Sequence, residues 1–598
     1  MKENPALGGT YKSTRAFRTR PTDNTSSNAR VYGYRGGVAT HHHQSALAAY
    51  DVLQAGGNAV DAGVAAVLVE GVVNAHMHGP AGECPILIAG PGIQAVAING
   101  NTRAPALAKV DALRARGHNT MPDSGILAAG VPASLSALLA ALTRFGSMPF
   151  HRLLEPALEL ARSGFAMHDG LLLQEKVGVA MLADKFRSDW HASAAIYLKD
   201  GMPIESGGRV VNPQLAAVYD QLAACSAACA DHRKGYQAVR YEFYQGSIAD
   251  AIDRYSQAND GLLRAADLAT FETPYEQPLS MGLGNTRIFK CGYWCQGPAL
   301  LQQLQIMKQF DLQAMQHNSA EYLHLLVEAG KLAYADREQY YADPDCVQVP
   351  DMLNEQYAKI RSELIDMHSA NAQMRPGDPR RNGAELPVSQ HVGGASWGDG
   401  TVHVDIADSS GMIASFTPSG GWIGSHEVLA ELGFPLGNRG MTFYMEPENH
   451  PNLIAPGKRP RTTISPSLVT RDDVPWIAFG TMGGDQQDQW MLQFYLNVAL
   501  FGMTLQQAID APKCSSEHFN GFFSPHDRYA QRLRIEDSVA TMVLQELHKR
   551  GHELDVAPMW TEGFLNAVAF NTDTGCIEAA CDPRGGKSDV FPASALAW

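Results

Sequence analysis

Residues 400–417 read GTVHVDIADSSGMIASFT. Apolar and polar residues alternate from 401 to 408, the turn-forming run Ser409-Ser410-Gly411 follows, and the alternation resumes from 412 to 417. Two alternating runs on either side of a short turn are typical of a β-hairpin. The sequence therefore predicts a hairpin here, and Thr401 stands at the first position of its first strand.

Hairpins and helices recur along the rest of the chain. Two more hairpins are predicted from residues 465–470 with 475–480 and from residues 564–571 with 576–581. Helical spacing on both sides of Gly56-Gly57 predicts two helices joined by a glycine turn, and further helices are predicted at residues 132–145, 150–163 and 319–336. Antiparallel hairpins with helices between them indicate an α+β fold of stacked sheets sandwiched by helices.

Two segments lack such patterns. Residues 1–30 are polar and are predicted to be disordered or extended. Residues 367–400, rich in Gly, Pro, Asn and Arg, are predicted to be a loop that ends where the first hairpin begins.

Composition excludes several classes of function. The 598 residues carry 62 acidic against 47 basic side chains, a net charge of −15 without a basic run, so nucleic acid is not an expected partner. A membrane-spanning helix needs about 20 apolar residues. The most apolar stretch, residues 65–73, contains Glu70, so no membrane span is expected. No apolar run follows the basic residues near the N-terminus, and a cytoplasmic location is therefore expected.

Cysteine and histidine groupings predict no metal site. Nine cysteines, an odd number in a long chain, indicate reduced thiols. The pairs Cys225/Cys229 and Cys291/Cys295 lack the two-residue spacing of zinc ribbons. The run His41-His42-His43 is predicted to be a solvated loop. Neither a metal nor an organic cofactor is expected.

Thr401 has chemistry open to it if the chain is cut before it. Its hydroxyl would act as a nucleophile, and the freed α-amino group, whose ordinary pKa is about 7.7–8.0, would take the hydroxyl proton. From the pattern alone, the alternative is a β-branched residue that only begins a strand.

Three other runs bear on acyl transfer. Residues 394–398, GASWG, match the nucleophile elbow G-x-S-x-G but lack the preceding apolar strand and the following helix that the elbow requires. Thr462 and Thr463 place hydroxyls just ahead of a predicted strand. Gly483 and Gly484 precede a predicted helix, where glycine amides either bind an oxyanion or form a tight turn.

Six segments match one known family in order along the chain. They are AGGNAVDAGVAA (55–66), GVPASLSALLAALTRFG (130–146), EAGKLAYADREQYYADPD (328–345), KRPRTTISPSLV (458–469), MGGDQQ (482–487) and CDPRGG (581–586). On these segments the sequence resembles the γ-glutamyltranspeptidases, a family of N-terminal-nucleophile hydrolases, from about residue 36 to the C-terminus.

The resemblance implies a four-layered αββα sandwich made as a precursor that cleaves itself between Gly400 and Thr401. A large subunit, residues 31–400, and a small subunit, residues 401–598, would stay together as a heterodimer, and a dimer of such heterodimers is left open. By the same resemblance Thr401 is the nucleophile and Ser419 hydrogen-bonds its hydroxyl. The remaining implied roles are an oxyanion hole made by Gly483 and Gly484, and contacts to the substrate's α-carboxylate from Thr462 and Thr463.

Two departures from the family pattern bear on the substrate. Asn101 occupies the place of the arginine that clamps the glutamyl carboxylate, and Arg103 is the candidate to replace it, since an amide offers neither charge nor fork geometry. Met441-Thr442 occupies the place of the acidic pair that binds the glutamyl ammonium, so an amino-acid substrate would leave a buried charge unpaired. The runs RAPA and LGNRG resemble the family's divergent branch of oxamate amidohydrolase-like and cephalosporin acylase-like members.

We therefore expect a self-processed amidohydrolase that cleaves a small amide with an acidic or non-γ-glutamyl acyl group through an acyl-enzyme. One alternative is a γ-glutamyltranspeptidase or glutathione hydrolase. The other is an unprocessed, catalytically silent family member, because no motif reports strain at the bond between residues 400 and 401.

Overall fold

The computed structural model of the chain describes residues 28, 30–383, 400–523, 526–583 and 593–598. At their centre lie two seven-stranded sheets whose neighbouring strands are all antiparallel. Sheet I has the strand order Ser594–Ala597, Gly36–Thr40, Val404–Asp408, Ile413–Phe416, Ile86–Gly90, Ile93–Ile98 and Tyr275–Glu276. Sheet II has the order Val31–Gly33, Cys576–Cys581, Asn566–Asn571, Val474–Gly480, Ser467–Arg471, Thr286–Lys290 and Leu279–Leu283.

The two sheets share one buried cluster of apolar residues, and each sheet also shares a second cluster with its own set of helices. The strand Ile86–Gly90 shows how the sequence achieves this. Ile86 and Ile88 face the helices, whereas Leu87 and Ala89 face the other sheet, because successive side chains of a strand point to opposite faces.

Helices cover the outer faces of the sheets. Those nearest sheet I include Ala59–Val73, whose start is fixed by a capping box in which the Asn58 and Asp61 side chains bond each other's backbone N–H groups. All fifteen of its residues are buried, as expected for a helix that is apolar all round. The α-helices of the described residues are His43–Gln54, Ala59–Val73, Val110–Arg114, Ser134–Phe145, Phe150–Ser163, Asp169–Leu173, Val179–Ser188, His191–Tyr197, Pro213–Ala227, His232–Gln245, Ser247–Ala258, Ala265–Ala269, Gly297–Met307, Ala320–Tyr340, Glu355–Ser362, Gln487–Ala499, Leu505–Asp510 and Thr541–Lys549.

Smaller elements complete the described chain. A three-stranded sheet joins Cys514–Ser516, Arg532–Glu536 and Glu553–Ala557, and two short pairs join Phe165–Ala166 with Arg209–Val210 and Leu198–Lys199 with Met202–Pro203. Short 3-10 helices occupy Ile126–Ala128, Leu312–Ala314, Arg439–Thr442 and Gly484–Gln486. Across the described residues we find no helix both long enough and apolar enough to cross a membrane.

The structure confirms the three predicted hairpins and the predicted helices, although the helix expected to end at residue 336 continues to Tyr340. All nine cysteines are free thiols, as the odd count indicated. The G-x-S-x-G run, most of the N-terminal segment and the second half of the predicted 367–400 loop lie outside the described residues.

Two sequence predictions are wrong in detail. Thr401 does not begin a strand, since the ladder starts at Val404 and Thr401 forms a single antiparallel bridge with Ser419. The His41-His42-His43 run is not a solvated loop, because His41 and His42 are buried and the His42 ring caps the helix His43–Gln54.

Candidate active site

After the first hairpin the chain runs back alongside residues 401 and 402, which places Ser419 opposite Thr401. The backbone N–H of Val402 donates to the Pro418 carbonyl at 3.0 Å, and Thr401 and Ser419 form an antiparallel bridge. Thr401 Oγ1 lies 3.1 Å from Ser419 Oγ, and both side chains are buried. The structure thus brings these two predicted site residues into direct contact.

The carbonyl oxygen of Gly400 is held by two side-chain donors. Ser419 Oγ donates to it at 2.9 Å and the indole Nε1 of Trp422 donates to it at 2.7 Å. Only glycine fits at position 400, because a Cβ there would lie 2.6 Å from the backbone Cα of Met77. Since the single Ser419 proton points to Gly400, the Thr401 hydroxyl is the donor in its bond to Ser419.

A buried ion pair stands behind Ser419. Arg439 Nη2 donates to Ser419 Oγ at 2.7 Å and to Glu83 Oε2 at 3.2 Å, and its guanidinium lies 5.1 Å from the centre of the Trp422 ring. Burial raises the pKa of Glu83, and the Arg439 charge acts in the opposite direction. A fixed positive charge is therefore linked to the Gly400 carbonyl through the Ser419 hydroxyl.

A second polar network fixes the backbone just after Thr401. His403 Nε2 lies 2.9 Å from Asp405 Oδ1, its Nδ1 lies 3.0 Å from Thr417 Oγ1, and its backbone N–H donates to His41 Nδ1 at 2.9 Å. Burial lowers the pKa of His41 to about 4, so this ring is neutral and able to accept. His403 and Asp405, polar positions of the alternating pattern, thus face sheet II rather than solvent.

Gly483 and Gly484 open the turn that leads into the helix Gln487–Ala499. Both have positive φ, 120° and 57°, and a Cβ on Gly483 would lie 2.5 Å from the Trp490 ring, so glycine is required for backbone geometry. The Gln487 side-chain amide, in the orientation that satisfies both its ends, accepts from Gly484 N at 3.2 Å. Met482 packs with Val402 and Met77, which connects this turn to the Thr401 region.

Thr462 and Thr463 are buried beside the same turn. Thr462 N donates to the Trp294 carbonyl at 3.0 Å, and Gln296 Nε2, two residues further on, donates to the Gly484 carbonyl at 3.3 Å. The segment containing Trp294 and Gln296 therefore lies against both predicted groups. Among the described residues, no hydrogen bond joins Thr462, Thr463, Gly483 or Gly484 to Thr401.

Asn101 and Arg103 run alongside the segment that precedes Thr462. Asn101 is buried and its Nδ2 donates to the Pro460 carbonyl at 2.7 Å, which makes it a structural link. Arg103 is half-buried and lines a small cavity together with Pro460 and Gly440. Its Nε is buried without a hydrogen-bond partner among the described residues.

Arg103 has a cationic neighbour, Arg459. Burial and the nearby Arg103 charge lower the pKa of Arg459, whose Nη1 donates to Asp345 at 3.0 Å. Its Nε and Nη2 are buried with no partner in the described part of the chain. Unused guanidinium donors can hydrogen-bond an anion.

The structure has no carboxylate at Met441 and Thr442. Met441 packs in an apolar cluster with Trp422 and Phe522, and Thr442 Oγ1 donates to the carbonyls of Arg439 and Arg461 at 2.9 and 3.1 Å. These two positions offer no partner for a substrate ammonium.

In the part of the chain that the structure describes, one group of side chains has the donor types of a metal site. His324, Glu328 and His552 bring ligand atoms within 4.8 Å of one another. However, His324 Nδ1 lies at hydrogen-bond distance, 2.9 Å, from His552 Nε2, and Glu328 is already bound to Lys331 Nζ at 2.6 Å. Hydrogen bonds among the protein's own groups account for this cluster.

The residue-by-residue analysis of the sequence missed three functional candidates. Trp422 and Arg439 reach the Gly400–Thr401 region, and Glu83 holds Arg439 although 356 residues separate them. The sequence signal for Arg439 was the LGNRG run that contains it.

Comparison with known proteins gives a family match over most of the chain. The family model for gamma-glutamyltranspeptidase matches residues 45–591. The chain belongs to the gamma-glutamyltranspeptidase family. The glutathione hydrolase proenzyme of Escherichia coli is 28% identical to this family member over 572 residues, which cover 93% of this chain and 91% of that protein.

Two solved structures are similar over almost the whole chain. One, LmbA2991HD, is 37% identical with a TM-score of 0.89 and covers 96% of this chain and 100% of its own. The other is the cephalosporin acylase from Bacillus halodurans, 26% identical with a TM-score of 0.82, which covers 96% of this chain and 97% of its own. With glutathione hydrolases and acylases as its relatives, this family member is an amide-bond hydrolase.

Proposed function

We propose that this chain is an N-terminal-threonine amidohydrolase, which cleaves itself before Thr401 and then hydrolyses a small amide with an anionic acyl group. The observation that carries the proposal is the buried contact between Thr401 Oγ1 and Ser419 Oγ at 3.1 Å, beside the doubly held carbonyl of Gly400. A hydroxyl, a proton acceptor and donors for the developing oxyanion are the parts that acyl transfer needs.

In the self-cleavage step, Thr401 Oγ1 attacks the carbonyl carbon of Gly400. The C–N bond between these residues breaks, the hydroxyl proton passes to the leaving nitrogen, and an ester forms. Water then hydrolyses the ester, which leaves a carboxylate on Gly400 and both a free hydroxyl and a free α-amino group on Thr401. The α-amino group is the base for later turnovers because its ordinary pKa lies near neutrality.

In turnover, the Thr401 hydroxyl attacks the amide carbonyl of the substrate while its own α-amino group takes the proton. The amides of Gly483 and Gly484 would bind the oxyanion, which requires Gln487 to release Gly484 N. The amine product takes the proton and leaves. Water then attacks the acyl-enzyme, the α-amino group takes the water's proton, and the acid product and the free Thr401 hydroxyl are released. No step needs a group beyond the chain and water.

The two fragments would remain together after the cut. Sheet I interleaves Gly36–Thr40 and Ile86–Gly90 from the large fragment with Val404–Asp408 and Ile413–Phe416 from the small one. Separating the fragments would expose these ladders and the clusters on both sides. We propose that the two sheets and their helices form the four-layered αββα sandwich, shared by residues 31–400 and 401–598. The cytoplasmic location stays a prediction.

The charges around Arg103 support an anionic acyl group. Arg103 and Arg459 carry unused guanidinium donors, whereas Met441 and Thr442 offer nothing to an ammonium group. A γ-glutamyl substrate would have to desolvate its ammonium without a partner at this place. The arrangement therefore favours a dicarboxylic monoamide over glutathione.

Three anilides that differ stepwise by one group test this assignment. Glutaryl p-nitroanilide is γ-glutamyl p-nitroanilide without its α-ammonium, and pentanoyl p-nitroanilide lacks the carboxylate as well. We expect the highest kcat/KM for the glutaryl compound and no hydrolysis by Thr401→Ala. A preference for the γ-glutamyl compound would support the glutathione hydrolase alternative instead, and a chain that neither cuts itself nor hydrolyses any amide would be a silent family member.

A further inference from the structure

We infer that Trp422 and Ser419 form the oxyanion hole of self-cleavage, that this hole is separate from the glycine amides that serve turnover, and that Trp422 is dedicated to it. The inference rests on the proposed function, since it assigns donors to the first step of that reaction. Trp422 Nε1 and Ser419 Oγ donate to the Gly400 carbonyl oxygen at 2.7 and 2.9 Å. The two donors thus already hold the oxygen that becomes the oxyanion when Thr401 attacks.

These two donors are fixed in place by burial and by their own contacts. Trp422 is 1% exposed and Ser419 is fully buried. The backbone N–H of Ile423 donates to the Ala75 carbonyl at 3.0 Å, which anchors the segment that carries the indole. The Arg439 guanidinium lies next to both donors and adds a positive charge where negative charge develops.

The geometry also separates this oxyanion hole from the one expected for substrate. The Gly400 carbonyl is directed at Trp422 and Ser419, whereas the Gly484 amide is engaged with Gln487 in the same structure. A carbonyl held in this way keeps its oxygen on one side while Thr401 Oγ1 bonds to the carbon. When the C–N bond breaks, the electron pair goes to nitrogen and the oxyanion collapses to the ester carbonyl.

The indole N–H of Trp422 has a second acceptor, with which it can stay hydrogen-bonded once cleavage is complete. Its Nε1 also donates to the Met77 carbonyl at 2.7 Å. After the Gly400 carboxylate departs, the indole N–H therefore keeps a partner and is not left unsatisfied. Removing this N–H should slow self-cleavage strongly and leave turnover by the mature enzyme close to normal.

An isosteric replacement tests this directly. β-(3-benzothienyl)alanine keeps the bicyclic shape of tryptophan but has sulfur in place of N–H, and it can be introduced at position 422 in a cell-free synthesis reaction. The fraction of cut chain is followed against time by gel and intact mass. Trp294 is the matched control, because it is also buried and its Nε1 donates to Glu276 at 2.8 Å, away from Gly400.

We expect the replacement at 422 to slow self-cleavage roughly 100-fold, the effect of losing one oxyanion donor, and the replacement at 294 to leave the rate unchanged. The material that does mature should keep kcat within about threefold of wild type. Trp422→Phe, with its fold checked by circular dichroism, should behave in the same direction.

Three results would overturn the inference, and they are distinguishable. If the 422 replacement matures at the wild-type rate, Trp422 is not an oxyanion donor, although the proposed function stands. If kcat falls as much as the cleavage rate, the donor is not dedicated to self-cleavage. If wild-type chain remains uncut, the proposed function itself fails, and the inference fails with it.

Discussion

Thr401 and Ser419 face each other across an antiparallel bridge with their side-chain oxygens 3.1 Å apart, and Ser419 Oγ also donates to the Gly400 carbonyl at 2.9 Å. One hydroxyl thus contacts both the attacking oxygen and the carbonyl that it attacks. Arg439, bonded to the same oxygen at 2.7 Å, favours the state in which Ser419 carries negative charge or donates strongly.

Ser419→Ala should slow self-cleavage by about 100-fold, because it removes one carbonyl donor and the contact that orients the Thr401 hydroxyl. Ser419→Thr keeps the hydroxyl and should restore most of the rate. The time course of chain cutting by intact mass measures both. Equal rates for Ser419→Ala and wild type would remove Ser419 from the mechanism.

Gly483→Ala should reduce turnover far more than self-cleavage. The new Cβ meets the Trp490 ring at 2.5 Å and a φ of 120° disfavours alanine, so the turn that carries the amides must shift. Gly502→Ala is the control for backbone strain, since its φ of 66° is also positive and its surroundings are open. The measurements are kcat on an anilide and the rate of chain cutting. A normal kcat for Gly483→Ala would refute the predicted oxyanion role.

Arg103→Ala should raise KM for an anionic amide by about tenfold or more and leave KM for a neutral amide unchanged. The physical reason is the loss of charge-assisted hydrogen bonds, each worth about 1.5–3 kcal/mol. Arg114→Ala, a change at an exposed position, is the control. Steady-state kinetics on glutaryl and pentanoyl anilides decide the matter, and an unchanged KM for the glutaryl compound would exclude Arg103.

Glu70 should make stability depend on pH. Burial raises the pKa of this carboxyl to about 7, against hydrogen bonds from Ser45 and Asn74 that favour the charged form. The native state therefore binds this proton more tightly than the unfolded chain, so the free energy of unfolding falls as pH rises from about 4.5 to about 7. The loss is about 3 kcal/mol.

Glu70→Gln should abolish that loss. Denaturant unfolding at pH 5 and pH 8, with Thr401→Ala present in both proteins to keep one chain, gives the comparison. The pH-dependent difference in unfolding free energy should be smaller in the Gln variant by the stated amount. The same pH dependence with and without Glu70 would show that this carboxyl does not titrate as described.

Local patterns in the sequence predicted the hairpins and helices because period-two and helical spacing are read from neighbouring residues. They could not show that the polar face of Val404–Asp408 is buried, since that depends on sheet II lying against it. The same limit explains the error at His41, whose ring is buried by contacts with His403 and with Phe564, more than 350 and 500 residues away.

The resemblance to a known family supplied Thr401 and Ser419, and the structure brings them together. It did not supply Trp422, because an indole donor near residue 400 requires the chain to turn back after Ser419 and to meet Met77. Nor did it supply the Glu83–Arg439 pair, whose partners become neighbours only in the folded chain.

The most direct test of self-processing is intact-mass analysis with N-terminal sequencing of the purified chain beside Thr401→Ala. We predict two fragments from the wild type, whose masses sum to the whole chain plus one water and of which the smaller begins at Thr401, and one uncut chain from the variant. A single intact chain from the wild type, or a cut at any other bond, would contradict the account.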